Sequence, residues 1–127
     1  MPLDFSNFHA AQGLTNYHDG LAAESSVERY YVQQGLKPVA QRWRSKAGEI
    51  DLIMRDGDAY VFVEVKKSRS FEQAARNFTA RQCRRVALAA EAYVGQMHPG
   101  ELIDMRLDLA MVDAAGRIDV IENVSLT

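Results

Sequence analysis

Residues 47–69 alternate between apolar and polar positions in two runs on either side of Asp56-Gly57, the pattern of two strands joined by a two-residue hairpin turn. Centring the turn on that pair sets Arg55 opposite Asp58, Ile53 opposite Tyr60, Asp51 opposite Phe62 and Glu49 opposite Glu64. Strand side chains alternate between faces. Ile50, Leu52, Met54, Val61, Val63 and Val65 therefore share one apolar face that belongs in the core. Glu49, Asp51, Ile53, Tyr60, Phe62, Glu64 and Lys66 share the other, aromatic near the turn and charged at its far end.

Elsewhere the period is helical. Asp19 through Gln34 predicts a helix with Asp19 as its cap, Gly35 as its stop, and Ala23, Val27, Tyr30, Tyr31 and Gln34 as its inward stripe. Glu24 borders that stripe. Pro38 to Arg44 predicts a strand with Val39, Gln41 and Trp43 on one face and Ala40, Arg42 and Arg44 on the other. Lys67 to Phe78 reads as a loop. Thr79 caps a second helix running to about Val94, whose buried stripe is Cys83, Val86, Ala87, Ala90 and Tyr93. Leu102 to Val112 is a strand with Ile103, Met105, Leu107, Leu109 and Met111 on one side and Asp104, Arg106 and Asp108 on the other. Ile118 to Val124 is a last strand at an edge. The order α-β-β-β-α-β-β is that of an α/β chain with helices covering a mixed sheet. Residues 1–18 show no period and read as a loosely ordered N-terminal extension, with His9 and His18 as bystanders. Residues 19–127 read as one domain, and His98, before Pro99, as incidental.

Composition narrows the function classes. The chain has 127 residues, 47% of them hydrophobic and 25% charged, the profile of an ordinary globular domain. It contains no run of about 18 apolar residues of the kind that spans a membrane. It also shows no secretory signal and carries a single cysteine, Cys83, so a cytoplasmic location is the expectation. Net charge is −2, yet eleven of the fifteen Lys and Arg fall within residues 42–85 against six of the seventeen acids. A basic middle between acidic ends suits a polyanion, although a merely solvated basic face has the same composition. Arg81, Arg84 and Arg85 crowd the start of the second helix, where positive charge opposes the macrodipole. Phosphate binding explains them and folding does not.

The charged end of the hairpin carries the candidate chemistry. In the register above Asp51 and Glu64 are diagonal neighbours about 7–8 Å apart. Two acids so placed can hold a divalent cation, and Lys66 beside them can hold a water or a phosphate oxygen. The plainer alternative is a solvated face on which Lys66 pairs with Glu64 or Glu49. Three acids to one lysine, and a covering layer over Tyr60, Phe62 and Ile53 that would desolvate them, weigh toward the cation. Glu24 is a third acid within reach of the same face.

Several motifs together resemble the YraN-like bacterial proteins. They are Gly20…Glu24, Gly48-Glu49-Ile50-Asp51-Leu52-Ile53, Val61-Phe62-Val63-Glu64-Val65-Lys66, Thr79…Arg84-Arg85, Ala90…Tyr93 and Arg106-Leu107-Asp108. Those proteins look like relatives of Holliday-junction resolvases within the PD-(D/E)XK nuclease superfamily. The resemblance covers roughly residues 20–112 and implies a restriction-endonuclease-like core and a metal-dependent endonuclease acting on structured or branched DNA. It implies that Asp51, Glu64 and the Val65 carbonyl bind Mg2+, or Mn2+ in its place. Lys66 would orient the attacking water or stabilise developing charge, and Glu24 would be the accessory helix acid. Arg42, Arg44, Lys67, Arg69, Arg81, Arg84 and Arg85 are the residues expected to hold the DNA. It leaves a homodimer open and gives Glu49 no role. Gln82 stands where a lysine is usual, and Lys67-Ser68-Arg69 replaces the common Thr-Arg. The alternative function is a non-catalytic nucleic-acid-binding module with a nuclease fold.

Overall fold

The computed structural model describes residues 20–124. The N-terminal extension, the Asp19 cap, His9 and His18 lie outside them. Helix α1 covers residues 20–33. Strands β1 (Lys37–Ser45), β2 (Gly48–Asp56) and β3 (Ala59–Lys67) follow, then helices α2 (Phe71–Arg76) and α3 (Ala80–Met97), then β4 (Met105–Val112) and β5 (Ile118–Ile121). The five strands form one mixed sheet in the order β1-β2-β3-β4-β5. Only the β3–β4 pair is parallel, joined by the helical crossover that a parallel pair requires.

Each face of the sheet meets its own helix. On one side Ala23, Val27 and Tyr31 of α1 pack on Leu52, Met54, Val61, Val63, Ala110 and Val112. On the other, Val86, Ala89, Ala90 and Tyr93 of α3 pack on Ile50, Ile53, Tyr60 and Phe62. That α3 layer is the cover the aromatic positions called for. Tyr93 meets Tyr60, Phe62 and Trp43 edge-on, with ring centroids 5.3–5.9 Å apart, the arrangement aromatic quadrupoles favour. Cys83 is buried within the helix stripe.

Several expectations are corrected. The hairpin pairs Arg55 with Tyr60, Ile53 with Phe62 and Leu52 with Val63, and closes at Asp56 and Ala59. The turn is therefore Gly57-Asp58, two steps of pairing from the expected register. Gly57 has a φ of +61 and Asp58 no positive φ, which fits a type II′ turn with glycine first. A slip of two leaves every side chain on its expected face, because faces alternate with period two. A real break comes at Asp51. Ile50 joins Ile53 on the α3 face, although residues three apart in a regular strand point oppositely. The neighbouring strand breaks in step: Ala40 and Trp43 both pack on the α3 side, around Arg42 at a φ of +51. The single faces expected for Ile50 and for Val39, Gln41 and Trp43 do not hold for that reason.

The expected loop at 67–78 contains α2, capped by Ser70, whose side chain accepts from the Gln73 N–H. Helix α3 runs to Met97 with His98 as its C-cap, past the expected end at Val94. The stripe position given to Gln34 is exposed, and β4 begins at Met105 rather than Leu102. His98 is not incidental. Its Nε2 lies 2.7 Å from the Tyr60 hydroxyl and its Nδ1 2.9 Å from Glu101. Arg55 donates to the same hydroxyl.

Candidate active site at a fork in the sheet

Pairing between β2 and β3 ends at Leu52 and Val63, although both strands continue. Residues 48–50 of β2 stay paired with β1, while residues 64–67 of β3 stay paired with β4. The sheet therefore forks, and Asp51, Glu64, Val65 and Lys66 border the opening. Divergence would leave the Val65 N–H without a ladder acceptor, a costly loss in a half-buried place. The Asp51 carboxylate replaces that acceptor: Val65 N–H donates to Asp51 Oδ2 at 2.8 Å. In an antiparallel ladder one residue's N–H and C=O address the same neighbour, so the Val65 carbonyl faces the fork as well.

The two acids meet directly. Each carboxyl lies within hydrogen-bonding reach of the other, and both are raised above their ordinary values. Burial, followed by the Asp51 charge, pushes Glu64 up to about 8 from 4.5, with Lys66 opposing. Burial also raises Asp51, against the Val65 N–H and the Glu64 hydrogen bond. Lys66 Nζ stands 3.8 Å from Glu64 Oε1. Glu24 of α1 is buried and accepts from Arg42 Nε at 3.0 Å. Burial raises it too, with Asp51 and Glu49 among its like-charged neighbours. Glu49 itself is exposed and pairs with Arg44 at 3.3 Å.

The structure thus brings Asp51, Glu64, Lys66 and the Val65 backbone together, with Glu24 close enough for Asp51 to act on its charge. The basic residues divide. Arg42 and Arg44 are held by Glu24 and Glu49. Arg81, Arg84, Arg85, Lys67 and Arg69 are exposed. Helix α3 comes close to the fork at Gly48, where an added Cβ would lie 3.3 Å from the Arg85 carbonyl oxygen. A cavity of about 200 Å³ opens there, lined by Gly48, Glu49, Glu64, Gln82, Arg85 and Val86.

Among the described residues no group of three or more His, Cys, Asp or Glu side chains could hold a metal. The fork offers instead two carboxylates and a backbone oxygen, all hard donors. That set suits an ion such as magnesium, which is bound by one or two carboxylates and keeps several waters. Burial and mutual repulsion raise both carboxyls, which marks where positive charge is wanted. Without divalent ions the sign of the pH dependence follows. Between about 4.5 and about 8 the unfolded chain has released the Glu64 proton and the folded chain has not, so stability falls as pH rises through that window. The loss is on the order of several kcal/mol. Melting in EDTA from pH 5 to pH 8 should show it, and Glu64→Gln should flatten it; equal slopes in both proteins would contradict the raised Glu64 value.

Asp108 was expected on a polar strand face, and instead it is fully buried beneath α1. Tyr31 donates to it at 2.7 Å, Arg106 Nε at 3.0 Å and the Asn123 N–H at 3.0 Å.

The family described as uncharacterised protein family UPF0102 matches residues 23–122. A UPF0102 protein of Roseobacter denitrificans is 49% identical, covering 97% of this chain and 94% of that protein. One of Ruegeria pomeroyi is 47% identical over 90% of this chain and 93% of its own length. One of Cereibacter sphaeroides is 44% identical over 87% and 95%. Among the described residues no helix is long and apolar enough to cross a membrane.

Proposed function

The chain belongs to the UPF0102 family, and from that footing we propose that it is a metal-dependent endonuclease of the resolvase-like kind, acting on structured or branched DNA. The observation that carries this reading is the fork. Two acids pressed together by burial, a lysine and the Val65 backbone border one opening, beside a helix start rich in arginine.

Asp51, Glu64 and the Val65 carbonyl would hold Mg2+ or Mn2+, which supplies Lewis acidity toward a phosphodiester and a more acidic bound water. Lys66, half-buried at 3.8 Å from Glu64, holds the attacking water or answers the negative charge that grows on the phosphoryl oxygens. Asp51 is held by the Val65 N–H, which orients its carboxylate where the two strands diverge. Glu24 adds negative charge from α1 and holds Arg42 in place. Arg81, Arg84, Arg85, Lys67 and Arg69 hold the backbone, and Arg44 joins them from the far side of the fork.

The test is an incubation with a four-way junction, a linear duplex and a single strand, in magnesium, manganese or EDTA. Metal-dependent cutting supports the reading. Salt-sensitive binding without cutting would replace it with the non-catalytic binding module, and neither would remove both. Arg84→Ala with Arg85→Ala should weaken binding evenly across sequences and lower the salt slope by about two.

A further inference from the structure

Gln82 is the third residue of α3, and it closes a capping box with Thr79. The Gln82 N–H donates to Thr79 Oγ1, and the Thr79 N–H donates to Gln82 Oε1, both at 3.2 Å. A backbone N–H can only donate, so the amide oxygen must be the atom facing Thr79. The amide nitrogen therefore faces away from the cap. No hydrogen bond among the described residues takes it up, and the side chain lines the cavity at the fork together with Glu49, Glu64 and Arg85.

The character of that cavity identifies the acceptor. Its carboxyl wall already has cationic partners, since Lys66 Nζ stands 3.8 Å from Glu64 Oε1 and Arg44 pairs with Glu49 at 3.3 Å. The opposite wall is Gln82, Arg85 and Val86, in the first two turns of an 18-residue helix whose macrodipole is positive at this end. Arg85 adds a cation on the same wall. We propose that Gln82 is a substrate-binding residue, its Nε2 donating to a non-bridging oxygen of a nucleic-acid phosphodiester seated between α3 and the two acids. The inference rests on the nuclease reading above and adds to it the residue that holds the phosphate on the helix side.

Substitution separates this role from capping. Gln82→Glu keeps an acceptor for the Thr79 N–H, and glutamate is as good as glutamine at that position, so the melting temperature should hold. It loses the donor and turns a carboxylate toward the phosphate. Binding of a fluorescently labelled four-way junction in EDTA should weaken about tenfold, the worth of a hydrogen bond to a charged group. Gln82→Lys restores a donor and should bind at least as well as the parent. Thr79→Ala breaks the cap alone and should leave binding near the parent value. The proposal is overturned if Gln82→Glu binds as the parent does, if Thr79→Ala weakens binding as much, or if Gln82→Lys loses as much as Gln82→Glu. A parent protein that binds neither junction, duplex nor single strand removes the nuclease reading and this inference together; a parent that binds with Gln82→Glu unchanged removes the inference alone.

Discussion

Asp51→Asn is expected to abolish metal-dependent cleavage while raising the melting temperature of the metal-free protein at pH 8. Asparagine still offers an oxygen to the Val65 N–H, the bond that seals the end of the β2–β3 ladder, so the fork keeps its shape. What disappears is one of two negative groups forced together by burial. Glu64 then ionises beside a neutral amide with Lys66 at 3.8 Å, and the stability lost between about 4.5 and about 8 is partly recovered. The proposed cation site is left with a single carboxylate. Losing several kcal/mol of transition-state stabilisation corresponds to a thousandfold or more in rate, on the order of the assay limit. The paired measurements are cleavage with magnesium and melting with and without it. The parent should gain stability from the ion and the variant should not, because a ligand stabilises only the state that binds it. A variant that cuts DNA, or is stabilised by magnesium as the parent is, would sink the assignment.

The second large effect lies away from the fork. Asp108→Ala should cost about 3–5 kcal/mol, a large share of the stability of a domain this size. The carboxylate is fully buried and receives a tyrosine hydroxyl, a guanidinium and a backbone N–H. Its removal leaves those donors facing hydrocarbon, and it unties α1, β4 and the segment after β5 at one point. Burial and the Asp108 bond both hold the Tyr31 phenol above its ordinary value, so Tyr31 stays a neutral donor at any physiological pH. Tyr31→Phe removes one donor and leaves the acceptor otherwise satisfied, so about 1 kcal/mol is expected. Urea unfolding should show the two losses in that order. A loss below that of Tyr31→Phe for Asp108→Ala would mean the buried carboxylate is not what joins these elements.

The residues that were legible in the sequence were those whose signal is local. The alternation through 48–67 set the hairpin and its faces, and a turn misplaced by one residue did no damage because the resulting slip was two. Thr79 and the 83–86–90–93 spacing located α3. The fork was not legible, because a strand diverges from its partner only when other strands take each half away. Those strands, β1 and β4, lie on either side of the hairpin in the sheet. Asp108 was misplaced for a related reason: alternation assigns polar residues to solvent, whereas β4 sits between β3 and β5 with helices over both faces. Helix α2 has a readable sign in Ser70 and Gln73, the spacing of a capping box, but it is only six residues long and set among basic and polar residues that read as a loop. Gln82 carries the same sign with Thr79, and the cap sets which way its nitrogen points, but what lies in front of that nitrogen depends on where β2 runs.

The bend at Arg42 has a second effect, on how this molecule meets its own copies. Strand β1 is an outer strand of the sheet, and an outer strand offers unpaired backbone groups to any other chain. Here a positive φ at Arg42, a register shift between Pro38 and Ala40, and a proline without an N–H interrupt the row. Lys37, Arg44 and Lys46 add repulsion between like surfaces. The opposite rim, β5, is only four residues long. A kink beside the fork thus also leaves the sheet, among the described residues, without a long flat border on which aggregation could begin.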